Sequence, residues 1–236
     1  MKNRENHVFQ FYQGVIIYPL LFVMVMWIVF WVEIRFNLNF TPQGIFPRRA
    51  SGLQGIFFAP FIHGSLKHLF NNSVPILILS SALFYFYKDV AWRVLAVIVL
   101  AGGFLTWVFA RQAYHIGASG VVYGLASFLF FKGIWSRYYR LIALSLIVVF
   151  IYGSLVWGTM PIDPSMSWEG HLAGFIVGLV LAFAERQKIV KPEQYVWQRE
   201  DYDEGNDPFL KHFDENGNFI DLPEEDEGDD ELEGER

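Results

Sequence analysis

The chain contains no cysteine. That excludes a disulfide scaffold, a thiol nucleophile, and any zinc or iron–sulfur site built on thiolates. Carboxylates are scarce over most of its length. Residues 1–192 of the 236 hold six Asp or Glu against 15 Lys or Arg, a net charge of +9. No Asp or Glu lies inside the long apolar runs, which argues against a channel or small transporter with acids along a pore. No internal repeat of helix pairs is visible, which argues against a transporter built from inverted halves. His63 and His68 are five apart with no Glu between them, so they lack the metalloprotease spacing, and a zinc protease is not expected.

What is present is apolar and segregated. Hydrophobic residues make up 53% and the 20 glycines raise this to about 61%, against ~45–50% for an ordinary soluble domain. This excludes a disordered chain, a fibrous repeat and most soluble enzymes. Residues 193–236 are the opposite, with 18 acids and three bases for a net of −15. The bases of the body are spread between apolar runs rather than clustered, so no nucleic-acid partner is expected.

A helix needs about 20 apolar residues to span ~30 Å of hydrocarbon. Six runs free of Asp, Glu, Lys and Arg approach that length: Val15–Val32, Leu69–Tyr87, Val94–Ala110, Gln112–Phe131, Leu141–Ile162 and Gly170–Ala184. The last has only 15 residues and needs burial among its neighbours. The first is too long for a cleavable signal peptide and lacks a cleavage site. The expected fold is all-α, a polytopic membrane protein with six helices packed in a compact bundle, with membrane lipid around it.

Three parts follow. Residues 1–13 form a short N-terminal segment, 14–190 the six-helix domain, and 191–236 an acidic tail with the composition of disorder. Within the domain, residues 37–61 form a long outer loop between the first two spans. Within the tail, Asp214–Asn218 lacks the glycine and the acid of a calcium loop and reads as a turn. The Lys/Arg bias sets the orientation. With both termini in the cytoplasm, the inner segments carry ten bases (Lys2, Arg4, Lys88, Arg93, Lys132, Arg137, Arg140, Arg186, Lys188, Lys191) and the outer ones five (Arg35, Arg48, Arg49, Lys67, Arg111).

In this topology the second, fourth and sixth spans run from outside to inside. The polar residues that need explaining sit at their outer starts. The second span opens with His63, His68 and Asn72, the fourth near Gly117-Ala-Ser119-Gly120, and the sixth with Gly170-His171. Polar side chains at membrane depth are costly, so each is a functional candidate. A serine at a helix start lies beside backbone N–H groups that have no intrahelical partner and can hold an oxyanion. His171, Gly174, Gly178 and Ala182 share one face of the sixth span, a seam of small residues built for close approach. Gly120 and Gly124 offer a matching seam on the fourth. Facing seams bring the His171 imidazole to the Ser119 hydroxyl, and Tyr123, one turn on, is placed to pack on the ring. Asp163 and Glu169 lie in a loop with no evident approach to His171, so a Ser–His dyad is the economical arrangement.

These residues resemble the rhomboid family of intramembrane serine proteases, of the bacterial six-helix type. The resemblance runs from about Pro60 to Ala184. His63–x4–His68–x3–Asn72 is similar to the family's second-helix motif, Gly117-Ala-Ser119-Gly120-Val-Val-Tyr123-Gly124 to its nucleophile motif, and Gly170-His171-Leu-Ala-Gly174-x3-Gly178 to its sixth-helix motif. The resemblance implies a serine endopeptidase without metal or cofactor, in a bacterial inner membrane, with its site open to the outer side. Its substrates would be single-span membrane proteins, cut near the outer end of their helix. Ser119 would be the nucleophile and His171 the general base. His68 and Asn72 would join the Ser119 backbone N–H in stabilising the oxyanion. His63 would be a structural hydrogen-bonder, Gly117 would allow the tight entry to its helix, and Tyr123 would support the imidazole. Many bacterial members carry a Trp-Arg pair in the first loop where this chain has Gln54 and Gly55. The alternative is a silent rhomboid-like adaptor or chaperone that binds transmembrane segments, whose mark would be loss of the dyad.

Overall fold

A chain in hydrocarbon must satisfy its backbone polar groups internally, so the apolar runs fold as helices. The computed structural model describes residues 11–162, 166–185, 195, 197, 199 and 201–221. Residues 1–10 with Lys2 and Arg4, Asp163, Arg186, Lys188, Lys191 and the end of the tail from 222 lie outside the described residues.

The first 191 residues form one compact unit. Its helices are α1 Gly14–Phe36, α2 Gly55–Phe58, α3 Leu66–Phe86, α4 Ala91–Phe109, α5 Ser119–Trp135, α6 Tyr139–Tyr152 and α7 Trp168–Ala184. No strand occurs among the described residues. By length and composition α1, α3 and α4 can each cross a membrane, while α5, α6 and α7 are shorter apolar helices. Helix α5 is central, packed on α3, α4, α6 and most extensively on α7. Helix α1 packs on α3.

Two predicted runs break earlier than composition suggests. The fourth run opens at Gln112, yet α5 starts at Ser119, because Gly117 takes a left-handed φ of 102° that a helix cannot hold. His115 is meanwhile paired with Ile45 across a two-way backbone bridge, at 2.9 and 3.0 Å. The fifth run extends to Ile162, yet α6 stops at Tyr152 and continues as a 3-10 segment over Gly153–Thr159.

The core holds Phe84, Tyr87, Phe128, Leu125 and Leu129, each with almost no exposed surface. The outside is equally greasy. Ile16, Leu20, Met24, Phe104, Leu146 and Phe150 all face outward, as they must where the surroundings are lipid. Buried hydroxyls find backbone carbonyls: Ser73 bonds Leu69, Thr106 bonds Gly102 and Ser127 bonds Phe175, at 2.8–2.9 Å.

The loop between α1 and α3 is folded, not draped. Arg48 donates to the carbonyls of Val108 and Ala110 at 3.2 and 2.8 Å, which lie in the last turn of α4 and at its C-cap. Trp107 Nε1 donates to the Arg49 carbonyl at 2.9 Å.

Residues 192–236 form a second unit. Among its described residues, Asp207 Oδ1 accepts the N–H groups of Phe209 and Leu210 at 2.8 and 3.1 Å. Asp214 Oδ1 accepts those of Asn216 and Asn218, both at 2.8 Å, in a turn closed by Gly217 at φ 79°.

Candidate active site

The site begins with how α5 starts. Its first intrahelical bonds run from Val121 and Val122 to the Ala118 carbonyl, at 2.9 and 3.1 Å. The N–H groups of Ser119 and Gly120 precede them and point out of the helix end, at the positive pole of its dipole. The Ser119 hydroxyl therefore stands next to ready-made donors.

His171 comes to this point through the glycine seam. A Cβ at Gly174 would strike the Gly120 carbonyl oxygen, and one at Gly178 the Gly124 carbonyl oxygen. One at Gly120 would lie 3.1 Å from the Gly170 oxygen. Helices α5 and α7 are thus in backbone contact along two turns. At that separation His171 Nε2 lies 2.8 Å from Ser119 Oγ.

The other ring nitrogen decides the chemistry. His171 Nδ1 lies 2.8 Å from the Gly158 carbonyl oxygen. A carbonyl can only accept, so Nδ1 carries the proton and Nε2 offers a lone pair to the Ser119 hydroxyl. The Tyr123 ring stacks flat on the imidazole, with centroids 4.3 Å apart and planes 6° apart. The imidazole is held from three sides: the Gly158 carbonyl, the Tyr123 ring and the Ser119 hydroxyl.

On the opposite side, α3 supplies amide and imidazole. The Ser65 hydroxyl caps α3 by accepting the His68 N–H at 3.1 Å. A Cβ at Gly117 would lie 2.6 Å from His68 Nε2 and 3.5 Å from Asn72 Nδ2. The hydrogen of Gly117 thus leaves room for both side chains beside the Ser119 turn. Asn72 donates one N–H to the His68 carbonyl at 3.2 Å, which orients its amide. A cavity of about 730 Å³ opens over these groups, with His68, Asn72, Ser119, Tyr123 and His171 in its wall. This arrangement joins a hydroxyl to a neutral base and sets several N–H donors around one point, the equipment for acyl transfer.

His63 lies in the loop ahead of α3 rather than in the helix. It is buried, with Nδ1 3.3 Å from the Phe61 carbonyl and its ring edge-on to His68 at 5.0 Å. Burial, reinforced by His68 nearby, lowers its pKa to about 4.

Two features escaped the sequence reading. Gly158 is one; a lone glycine in an apolar run carries no signal for a carbonyl aimed at an imidazole. The other is a polar cluster around Glu169, which is not a loop residue but part of the first turn of α7, 2% exposed. Glu169 Oε1 accepts the Arg111 backbone N–H at 3.3 Å and faces the Arg111 guanidinium at 3.8 Å. His115 donates from Nε2 to the Arg111 carbonyl at 3.0 Å and pairs through Nδ1 with Ser167. An acid and a base 58 residues apart, one of them just outside an apolar run, gave no spacing to read.

A family model described as the Rhomboid domain matches residues 50–188. Uncharacterized proteins of Mycobacterium bovis and Mycobacterium tuberculosis are each 32% identical over 174 residues, 70% of this chain and 72% of theirs. An uncharacterized protein of Mycobacterium leprae is 33% identical over 150 residues, 60% of this chain and 59% of its own.

Proposed function

Since the chain belongs to the rhomboid family and is an integral membrane protein, we propose that it is an intramembrane serine endopeptidase that cleaves single-span transmembrane proteins near the outer membrane face. One observation carries this: the Ser119–His171 hydrogen bond, with the far side of the imidazole tied to the Gly158 carbonyl. A merely structural pair has no need of the tautomer that leaves Nε2 free to take a proton.

The steps follow from that geometry. Ser119 Oγ attacks the scissile carbonyl as its proton passes to His171 Nε2. Charge develops on the carbonyl oxygen, where the Ser119 backbone N–H, the His68 imidazole and the free N–H of the Asn72 amide meet it. The imidazolium then gives its proton to the leaving amine, and water attacks the acyl-enzyme by the reverse route. Both termini lie in the cytoplasm of a bacterial inner membrane, and the cavity faces the outer side.

A fluorophosphonate probe on the detergent-solubilised protein tests the reading. Ser119 should be labelled, labelling should vanish in Ser119→Ala, and it should fall severely in His171→Ala. Ser127 and Ser154 serve as internal controls. Equal labelling of these serines, or wild-type labelling in His171→Ala, would leave a rhomboid fold that binds transmembrane segments without cleaving them.

A further inference from the structure

Cations are disfavoured on the outer side of a membrane protein, so each one there calls for a reason. Arg48 and Arg111 have partners in carbonyls: Val108 and Ala110 for the first, Met166 at 2.7 Å for the second, with Glu169 beside it. Arg49 lies over the Phe46 ring at 4.7 Å and Arg35 over the Phe36 ring at 5.8 Å. Lys67 has no hydrogen bond, ion pair or ring contact among the described residues.

Its position is also locally unfavourable. Lys67 is the second residue of α3, at the positive pole of the helix dipole, where an acid is preferred. A residue that breaks local rules without a compensating contact is where function shows. The second observation is its place. Lys67, His68, Asn71, Asn72 and Pro75 form one stripe of α3 that, with Gly64 ahead of the helix, lines the cavity over Ser119 and His171. Lys67 is thus on the same wall as the groups that face the reacting carbonyl. No carboxylate lines this cavity among the described residues, and Glu169 is buried beside Arg111. Among the described residues the wall of the cleft holds Lys67 and Arg111 and no carboxylate.

We propose that Lys67 is a specificity-determining residue that selects substrates carrying an Asp or Glu side chain beside the scissile bond, at the outer end of the transmembrane helix. The proposal rests on the protease reading above. A carboxylate entering the cleft meets the exposed ammonium group of Lys67 on its wall, a pairing that salt screens. A lysine there is repelled.

The test uses the full chain in zwitterionic micelles. Three otherwise identical single-span substrates carry Glu, Gln or Lys next to the cleaved bond. The wild type should favour Glu over Gln in kcat/KM by roughly three- to tenfold, a ratio that shrinks as salt is raised. Lys67→Gln should bring the ratio to about one, and Lys67→Glu should turn the preference toward the Lys substrate. A ratio cannot be moved by a folding defect that affects all substrates alike. A wild-type ratio near one, or a ratio unchanged in Lys67→Gln, would overturn the proposal. So would an equal slowing of all three substrates by Lys67→Gln that appears only in phospholipid vesicles, since Lys67 would then be holding a headgroup phosphate. Binding of the same substrates to Ser119→Ala separates the two readings. Preference for the Glu helix in binding by a chain whose wild type cleaves nothing would sink the protease and keep the Lys67 assignment.

Discussion

Gly158→Ala puts the orientation of the His171 imidazole, and the role proposed for it, to a direct test. A Cβ at this position would overlap the Tyr123 hydroxyl, and would lie 3.1 Å from Tyr123 Cζ and 3.3 Å from His171 Nδ1. One of two things must give. Either the tyrosine leaves its stack on the imidazole, or the 153–159 segment retreats and the 2.8 Å bond from Nδ1 to the Gly158 carbonyl breaks. In both cases the ring loses a restraint and Nε2 drifts from Ser119. A misplacement near 1 Å costs about 10²-fold in rate, so kcat on a fluorogenic transmembrane substrate should fall by roughly that factor, with KM little changed. The same overlap predicts its own rescue. Tyr123→Phe removes the oxygen that the new methyl meets and leaves a 3.1 Å approach to Cζ, which a shift of a few tenths of an ångström relieves. Gly158→Ala,Tyr123→Phe should therefore be at least tenfold more active than Gly158→Ala. The reasoning fails if Gly158→Ala retains activity within twofold, or if the double variant is no better than the single one.

Asn72→Ala should lower kcat by up to ~10²–10³ with little change in KM, measured on the same substrate, because the amide is needed only as the oxyanion forms. The pH dependence of stability should carry the mark of His63. Burial holds its folded pKa near 4, while an unfolded histidine titrates near 6.5. Between these values the unfolded chain takes up a proton that the fold refuses, so stability is full above about pH 6.5 and declines as pH falls toward 4, by at most about 1.4 kcal/mol per unit. Thermal unfolding of solubilised protein should show this slope, and His63→Gln should flatten it. An alkaline phosphatase fused after Arg236 should be inactive and a cytoplasmic reporter there active, as the Lys/Arg bias requires.

The residues legible in the sequence share a physical signature. Ser119, His171, His68 and Asn72 are polar groups in apolar runs, where the solvent itself makes them conspicuous. The seam of Gly120, Gly124, Gly174 and Gly178 shows as a four-residue spacing, and its contacts are backbone to backbone. What stayed hidden has no such signature. The end of α6 at Tyr152 interrupts an apolar run that goes on to Ile162, since hydropathy cannot tell a helix from a 3-10 turn. Glu169 looks like a loop acid because its partner Arg111 is 58 residues away. The Asx turn at Asp207 is averaged away by composition, whereas the turn at Asp214–Asn218 is legible in the sequence.

The first loop joins these two classes. At Gln54 and Gly55, where the family resemblance leads one to expect Trp and Arg, the loop is held otherwise: Gln54 Nε2 donates to Gln43 Oε1 at 2.6 Å. Gly55 explains part of the exchange: a Cβ there would strike the Gly44–Ile45 backbone, so the loop folds back on itself more tightly than a side chain permits. Ile45, brought in by that fold, makes its two-way bridge with His115. His115 in turn pairs with Ser167, whose carbonyl accepts the His171 N–H at 3.2 Å. The chain of contacts runs from the loop through one imidazole to the turn that carries His171. The hydrogen bonds from the loop thus end at the turn that carries His171, and the position of the loop and the position of His171 are set together.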